Sequence, residues 1–431
     1  MPTKSAAGRK VNLKEHDCQK LSEPPVCRPD ERSEEESPHV AQHGEILRTL
    51  PNDKKEQGMT HDAPAITEFT VHNVRNLARV HIQPHSSLNI FCGDNAQGKT
   101  NLLETLSLAC CGKPLRPVTS TAELITFGQD GGKIHLRCGG GVPFDIDVAL
   151  RPKGKVLRLG GKALRRFAQL ADRIAVISFV PDDLGIVLGS ASHRRKALDQ
   201  LCGGLLPAYV DWYRRYERAL IDRNRLLKEG RASPALRAPF DHLLARTGAH
   251  IIHFRLRAMR VWLPLLQRVF DRITGGSVPV HMAYQSTLPI DPDTIPEPAA
   301  LTETFAAALQ RHRDEEQRRG LTLCGPHLED IRLLLADKPA RQVASRGQAR
   351  GLVLALKLAH LRAVAESRDC CPLLLLDDVM GELDRHHAQR LLQTLQQCGA
   401  QAFMTTTHLD HAPDMPHRLF WIQGGEVTLR Q

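Results

Sequence analysis

An eight-residue glycine-rich segment constrains this chain more than any other feature of its sequence. It has the spacing G-x-x-x-x-G-K-[ST], and its residues are Gly93, Asp94, Asn95, Ala96, Gln97, Gly98, Lys99 and Thr100. The apolar run at 87–92 indicates a buried strand before it, and the leucines after it recur with helical spacing. A glycine turn with an incidental lysine would not explain both flanks. We therefore interpret this segment as a phosphate-binding loop.

The backbone of such a loop determines its chemistry. Glycines allow successive N–H groups to turn inward around an anion, and the following helix N-terminus adds partial positive charge. We expect Lys99 to reach the β- and γ-phosphates of ATP and the Thr100 hydroxyl to bind Mg²⁺.

Composition narrows the class of protein. The 431 residues suggest two or three domains, and the net charge of +10 weakly favours an acidic partner such as nucleic acid. The 11 cysteines show no C-x-x-C pair or zinc spacing, which favours reduced thiols in a cytoplasmic protein. The chain contains no apolar run long enough to span a membrane, so no membrane partner is expected.

The chain divides into four predicted regions. Residues 1–63 are polar and charge-dense and are expected to be a disordered N-terminal extension, so that Met59 could be the natural start. The other regions are ATPase lobe I at 64–190, a helical arm at 191–318 and ATPase lobe II at 319–431.

Periodicity predicts the elements within these regions. Strands are expected at 66–72, 80–83, 87–92, 174–180, 321–324 and 330–335, with antiparallel strands between 131 and 161. Helices are expected at 193–203, 208–227, 240–273 and 300–316, with a loop at 275–299.

The two long helices of the arm are expected to form an antiparallel hairpin with arginine-rich polar faces. The arginines are Arg214, Arg215, Arg218, Arg223, Arg225 and Arg231 on one helix and Arg246, Arg255, Arg257 and Arg260 on the other. Two interpretations stay open: an ordinary solvated surface, or a stripe that faces DNA.

A second motif completes the nucleotide site. The apolar run at 372–376 reads as a buried parallel strand and ends in Asp377 and Asp378. Ligands gather at the carboxyl ends of such strands. We therefore expect Asp377 to be the Walker B ligand of Mg²⁺ and Asp378 to polarise the attacking water, with Lys99 as the third catalytic residue.

A serine-glycine turn before this strand is similar to the signature motif of ABC-type ATPases. Ser345, Gly347 and Gln348 open an apolar helix, and in such ATPases this turn binds the γ-phosphate of a nucleotide held by the other protomer. Residues 381–384 match the D-loop position. His408 matches the switch histidine, with an ordinary surface histidine as the alternative.

The spacing of these motifs favours one architecture. Ser345 lies 246 residues (345 − 99) after Lys99, and the interval contains sheet, a helical hairpin and sheet again. This is the plan of SMC-like ATPases. The expected fold is α/β: a P-loop ABC/SMC-like ATPase head with a parallel core sheet and an antiparallel β subdomain, plus an inserted all-helical arm.

From about residue 64 to 431 the chain resembles the RecF family of bacterial DNA replication and repair ATPases. The stretches that carry the resemblance are the phosphate loop with 88–93, residues 179–184, 194–199, 216–220, 223–224 and 325–327, the signature at 345–348, and 377–384. Arg346 within the signature is typical of this family rather than of transporters.

The resemblance implies an ATP-dependent homodimer with two nucleotides between protomers. It also implies binding to single-stranded or gapped DNA, work with RecO and RecR in loading the recombinase, and a role in the SOS response. Hydrolysis would be a weak DNA-stimulated activity, with ATP-gated DNA binding as the primary role. The alternative is an ABC-type ATPase subunit with a non-DNA partner; a third hypothesis is a DNA-binding protein whose ATP site only holds a conformation.

Three departures from the family pattern bear on the site. Ala96 stands where a glycine is usual, and Val74 replaces a phenylalanine before Arg75 and Asn76. No glutamine occurs in the segment at 180–182, where related ATPases carry a Mg²⁺-binding glutamine. Ser178 or Asp182 could serve there through water.

Overall fold

The computed structural model describes residues 64–140, 142–229, 233–276, 278–368, 371–379, 385–407 and 415–430. The predicted extension at 1–63, the D-loop positions 381–384 and His408 lie outside these residues.

The strands of the described residues number fifteen. They are β1 (Ala65–Val74), β2 (Leu77–Ile82), β3 (Leu88–Cys92), β4 (Gly132–Gly139), β5 (Phe144–Arg151), β6 (Gly154–Leu159), β7 (Lys162–Ala163), β8 (Val176–Phe179), β9 (Val280–Gln285), β10 (Asp330–Leu335), β11 (Lys338–Pro339), β12 (Leu373–Leu376), β13 (Ala402–Thr406), β14 (His417–Gln423) and β15 (Glu426–Arg430).

The helices of the same residues frame these strands. They are α1 (Lys99–Cys111), α2 (Ala168–Arg173), α3 (Gly185–Leu188), α4 (Ala191–Leu205), α5 (Ala208–Lys228), α6 (Pro234–Thr274), α7 (Pro298–Arg311), α8 (Arg313–Arg319), α9 (Ala340–Val343), α10 (Arg346–Arg368) and α11 (Arg385–Cys398). Short 3₁₀ turns occur at Thr121–Leu124 and Pro181–Leu184.

A six-stranded sheet forms the centre of the molecule. Its order is β15-β14-β3-β13-β12-β8, and all neighbouring pairs are parallel except β14 with β15. The strands that precede the phosphate loop (β3) and the Walker B carboxylates (β12) are therefore separated by β13 alone. Their carboxyl ends lie along the same edge of the sheet, which positions the nucleotide site.

Both faces of the central sheet are buried, and each face belongs to a different hydrophobic core. In β12, Leu374 and Leu376 enter one core while Leu373 and Leu375 enter the other. Alternate residues of a strand point to opposite faces, so a continuous apolar run is what a sheet covered on both sides requires.

The first core includes an antiparallel sheet and the phosphate-loop helix. This sheet has the order β2-β1-β4-β5-β6-β7 and packs with α1 against the central sheet. The architecture confirms the predicted α/β class, the parallel core sheet and the antiparallel subdomain.

The second core contains the helices of the insertion and α10. The 41-residue helix α6 packs along α5, α7 and α10, and Trp262 Nε1 donates a hydrogen bond to the Leu356 carbonyl at 3.1 Å. The long helix thus shares its core with the helix that follows the signature turn. In the described part of the chain, no helix is both long and apolar enough to cross a membrane.

The loop expected at 275–299 contains a strand, so that part of the prediction is wrong. In β9, Val280, Met282 and Tyr284 are buried, and the residues between them are exposed. β9 pairs antiparallel with β10, which pairs with β11. The prolines and aspartates around this strand favoured a loop prediction, although residues 280–285 alternate between buried and exposed side chains.

The strand expected at 321–324 does not form, because side chains take up its backbone groups. The Thr322 N–H donates to Asn224 Oδ1 at 2.9 Å, and the Leu323 N–H donates to Glu316 Oε1 at 2.9 Å. The helix expected at 300–316 is two helices, α7 and α8, that meet at His312.

Two of the predicted surface arginines are buried, which contradicts both interpretations for them. Arg223 is 0% exposed and pairs with Asp241 (2.7 Å) and Glu316 (2.6 Å). Arg255 is 1% exposed and pairs with Asp199 at 2.8 Å. Buried guanidinium groups need such carboxylates, which lie 18 or more residues away in sequence.

We predict that Leu375→Ala lowers the free energy of unfolding by about 2–5 kcal/mol, because it leaves a cavity between the central sheet and α1. Leu375 is fully buried. Leu429→Ala, the same change at an exposed position of β15, is the control and is expected to cost far less. Urea unfolding of both variants measures the difference, and equal losses would contradict the two-core arrangement.

Candidate functional site

The phosphate loop connects β3 to α1 at the carboxyl edge of the central sheet. Gly98 precedes the helix with φ of 111°, and a Cβ there would lie 2.7 Å from the Asn76 side chain. Lys99 is 8% exposed, and its Nζ donates to the carbonyl oxygens of Gly93 and Asp94, each at 2.7 Å. The lysine ammonium group therefore lies inside the loop.

Ala96 adopts φ of 64°, in the left-handed region that favours glycine. An L-residue there costs roughly 1–2 kcal/mol. This backbone conformation accounts for the glycine that is usual at this position. In this chain Ala96 adopts it with some strain.

Two hairpins hold the outer side of the loop through Gln97, a contact that sequence reasoning missed. Asn76, in the turn between β1 and β2, donates from Nδ2 to the Gln97 carbonyl at 3.0 Å. In the turn between β14 and β15, the Gly425 N–H donates to the same carbonyl at 3.0 Å, and the Gly424 N–H donates to Gln97 Oε1 at 2.6 Å. The only sequence signal was the family-like pair at 75–76.

Asp377 joins the two halves of the site. Its Oδ1 accepts hydrogen bonds from Thr100 Oγ1 at 2.8 Å and from Thr405 Oγ1 at 2.9 Å. Its own N–H donates to the Phe179 carbonyl at 2.9 Å. Asp377 is 9% exposed, and two hydroxyl donors hold its Oδ1 beside the end of the phosphate loop.

Asp378 follows with a different backbone conformation. Its φ is 51°, and its N–H donates to Thr405 Oγ1 at 2.9 Å. Aspartate tolerates the left-handed region better than most residues. The Thr405 hydroxyl thus contacts both carboxylate residues, a role that its sequence did not reveal.

The segment without the usual glutamine lies directly beside Asp377, because β8 pairs with β12. Lys357 of α10 is 4% exposed, and its Nζ lies 2.9 Å from Asp183 Oδ1 and donates to the Ser178 carbonyl at 2.7 Å. Asp182 is exposed and lies 3.4 Å from His193 Nε2. In the described residues neither Ser178 nor Asp182 forms a hydrogen bond with Asp377 or Asp378, and their role as sensors stays a prediction.

The signature residues form a capping box at the start of α10. The Gln348 N–H donates to Ser345 Oγ at 3.2 Å, and the Ser345 N–H donates to Gln348 Oε1 at 2.9 Å. Ser345, Gly347 and Gln348 are all exposed. This reciprocal pair fixes the helix N-terminus and leaves it open to solvent.

The residues at the carboxyl edge fit a magnesium ion. Thr100 Oγ1 and Asp377 Oδ1 are two oxygen atoms that lie 2.8 Å apart at the end of the phosphate loop. Mg²⁺ prefers oxygen ligands and is usually bound by one or two protein groups together with substrate phosphates. Both residues have the chemistry that such an ion requires.

Comparison with known proteins identifies relatives along most of the chain. A family model described as an AAA domain matches residues 68–159. The DNA replication and repair protein RecF of Symbiobacterium thermophilum is 35% identical over 81% of this chain and 94% of its own length. The RecF protein of Anaeromyxobacter dehalogenans is 38% identical over 83% of this chain and 97% of its own length.

Solved structures are also similar to this chain. The recombination mediator protein RecF-ATPrS of the RecFOR pathway superimposes with a TM-score of 0.77 at 27% identity, covering 86% of this chain and 100% of that chain. An Smc head bound to the C-winged helix domain of ScpA gives 0.50 at 12% identity, covering 85% and 97%, a likeness of fold alone.

Fold and site together define a P-loop ATPase head of the ABC/SMC type. Within this class, the relatives at 35% and 38% identity are RecF proteins matched over nearly their whole length. The chain belongs to the RecF family of DNA replication and repair proteins.

We predict that Thr405→Val destabilises the fold by about 1–3 kcal/mol, because it leaves the part-buried Asp378 N–H without its acceptor and removes one donor from the buried Asp377 carboxylate. Thr428→Val, at an exposed position of β15, is the control. Urea unfolding without nucleotide measures both. A loss in Thr405→Val no larger than in the control would contradict the assigned hydrogen bonds.

Proposed function

We propose that this chain is an ATP-gated DNA-binding protein of recombinational repair and replication-fork maintenance. The observation that carries the proposal is the hydrogen bond between Thr100 and Asp377, which unites the phosphate loop and the Walker B strand in one site. An ATP molecule with Mg²⁺ would occupy this site.

The residues of the loop take separate roles in this proposal. The backbone N–H groups of residues 93–100 surround the phosphates, and Lys99 exchanges its two loop carbonyls for phosphate oxygens. Thr100 and Asp377 hold Mg²⁺, which supplies charge neutralisation when bound. Asp377 and Asp378 assist hydrolysis, with Asp378 orienting the attacking water.

A second protomer completes the site. Ser345, Gly347 and Gln348 form a preformed and exposed helix N-terminus, which suits a γ-phosphate presented from outside the protomer. His408 would contact the same phosphate. ATP thereby dimerises the chain, and hydrolysis opens the dimer. Closure of the dimer would limit turnover, so the ATPase activity is expected to be slow.

The dimer binds single-stranded or gapped DNA in this proposal. A net charge of +10 suits a polyanionic partner, and the matched solved structure is of a recombination mediator protein in the RecFOR pathway. RecO and RecR are the proposed protein partners, and recombinase loading and support of the SOS response are the proposed outcomes. The cytoplasm is the proposed location.

Fluorescence anisotropy of labelled gapped DNA tests the proposal. ATP is expected to tighten DNA binding by the wild type, while Lys99→Ala and Ser345→Arg lose this effect because each removes one half of the composite site. Raising the salt concentration should weaken the ATP-dependent binding, since phosphate contacts release counterions.

Ser233→Arg is the matched control for Ser345→Arg, because Ser233 is also an exposed serine that caps a helix, accepting from the Leu236 N–H at the start of α6, but is not among the proposed nucleotide-binding residues. It is expected to retain most of the ATP effect. If neither nucleotide state of the wild type binds DNA, the nucleic-acid function is wrong, and a partner other than DNA must be sought.

A further inference from the structure

A cavity of about 540 Å³ lies between the first lobe and the helical insertion. Its walls include Lys113 and Leu115 after α1, Leu170 of α2, Lys196 of α4 and Tyr213 of α5. Cavities of several hundred cubic ångströms hold small organic ligands. This one is large enough for a nucleobase with its sugar.

Positive charge gathers at one side of this cavity. Lys113 and Arg214 line it, and Lys155 of β6 lies close enough to feel both charges. Partial burial and these two cations lower the pKa of Lys155. Among the residues that the structure describes, Lys113, Lys155 and Arg214 form no salt bridge. These three cations therefore have no carboxylate at salt-bridge distance, although Asp199 and Glu217 also line the cavity.

Arg214 carries an unmet hydrogen bond inside this cluster. Its guanidinium carbon lies 3.3 Å from the centre of the Phe167 ring, and its buried Nε has no hydrogen-bond partner. Asp211 and Glu217 attract it at longer range, but Asp211 already accepts from the Phe167 N–H at 3.1 Å. A buried donor without an acceptor is costly, and a phosphate group offers several acceptors.

The interior of the cavity is aromatic. The rings of Tyr209 and Tyr213 stack with centroids 5.9 Å apart, and Lys113 Nζ lies 5.3 Å from the Tyr213 centroid. Aromatic rings beside cations are the combination with which proteins hold unpaired nucleotides, since bases stack and phosphates pair.

The floor of the cavity offers polar groups to the edge of a base. A hydrogen bond of 2.6 Å joins Tyr216 Oη and His327 Nδ1, and Asp199 and Arg255 lie at the same floor. Burial lowers the pKa of His327 to about 4, so the imidazole is neutral at pH 7. The floor is thus polar with a neutral imidazole, while Arg195 and Lys196 add positive charge to the wall.

The cavity also reaches the nucleotide site. Ser178 and Val180 form part of its wall, and Phe179 between them accepts the hydrogen bond of the Asp377 N–H. A ligand in the cavity therefore contacts the segment that supports the Walker B carboxylate.

We propose that this cavity holds one unpaired nucleotide of a DNA strand, with its base against Tyr213 and its phosphate on Lys113, Lys155 and Arg214. The proposal rests on the proposed function and adds a structural reason for preferring gapped DNA. Duplex DNA keeps its bases stacked inside the helix and therefore cannot place a nucleotide in the cavity.

Two labelled DNAs of equal length, one gapped and one blunt duplex, test this with ATP present. Lys113→Glu and Lys155→Glu are each expected to weaken gapped-DNA binding about tenfold, since each replaces a phosphate contact with repulsion. Blunt-duplex binding and ATP binding should change less than twofold. Both lysines are exposed, so the variants should fold.

Arg158→Glu is the matched control, because Arg158 lies three residues along β6 from Lys155 and faces the other side of the sheet. It should leave both DNAs unaffected. Equal losses on both DNAs, or no loss on gapped DNA while the wild type binds both, would overturn this inference alone. If free deoxynucleoside monophosphate displaced the gapped DNA at a concentration equal to that of the DNA, the bound nucleotide would not need to belong to a strand. That part of the inference would then be wrong. A wild type that binds neither DNA would overturn the proposed function as well.

Discussion

The structure depends on one short contact between residues that are 277 positions apart: Thr100 Oγ1 donates to Asp377 Oδ1. The contact exists because β3 and β12 run parallel with only β13 between them, so their carboxyl ends arrive at one edge. Neither strand could bring its motif there without the other lobe. The long insertion between the motifs is accommodated because its helices cover one face of the same sheet, while the antiparallel sheet and α1 cover the opposite face.

The central sheet therefore separates two hydrophobic cores, and its strands contribute side chains to both. The phosphate-loop helix belongs to one core and the signature helix α10 to the other. Lys357 joins α10 to the edge of the central sheet, because it pairs with Asp183 and donates to the carbonyl of Ser178 in β8. The helix that begins at the signature turn is thus hydrogen-bonded, through Lys357, to the strand beside Asp377.

Sequence alone predicted the features that local patterns determine. The phosphate loop, the Walker B strand and the signature turn could be predicted because each consists of consecutive residues. The family resemblance then assigned the three motifs to one nucleotide site. Contacts between distant segments were not predictable in this way. The hydrogen bonds that Gln97 forms with Asn76 and with the β14–β15 turn depend on two separate hairpins. The burial of Arg223 and Arg255 depends on carboxylates contributed by other elements. β9 was not predicted for the same reason, because its formation depends on pairing with the distant strand β10.

A mixing experiment tests most directly whether the ATP site is shared between protomers. If the site is shared as proposed, Lys99→Ala and Ser345→Arg each disable both sites of their own homodimer. A heterodimer of the two variants retains one intact site, formed by the phosphate loop of the Ser345→Arg chain and the signature of the Lys99→Ala chain. We expect an equimolar mixture to recover ATP-dependent dimers, measured by mass photometry, to about half of the wild-type fraction at most, since only heterodimers can close. A mixture that dimerises no better than either variant alone would contradict the shared site.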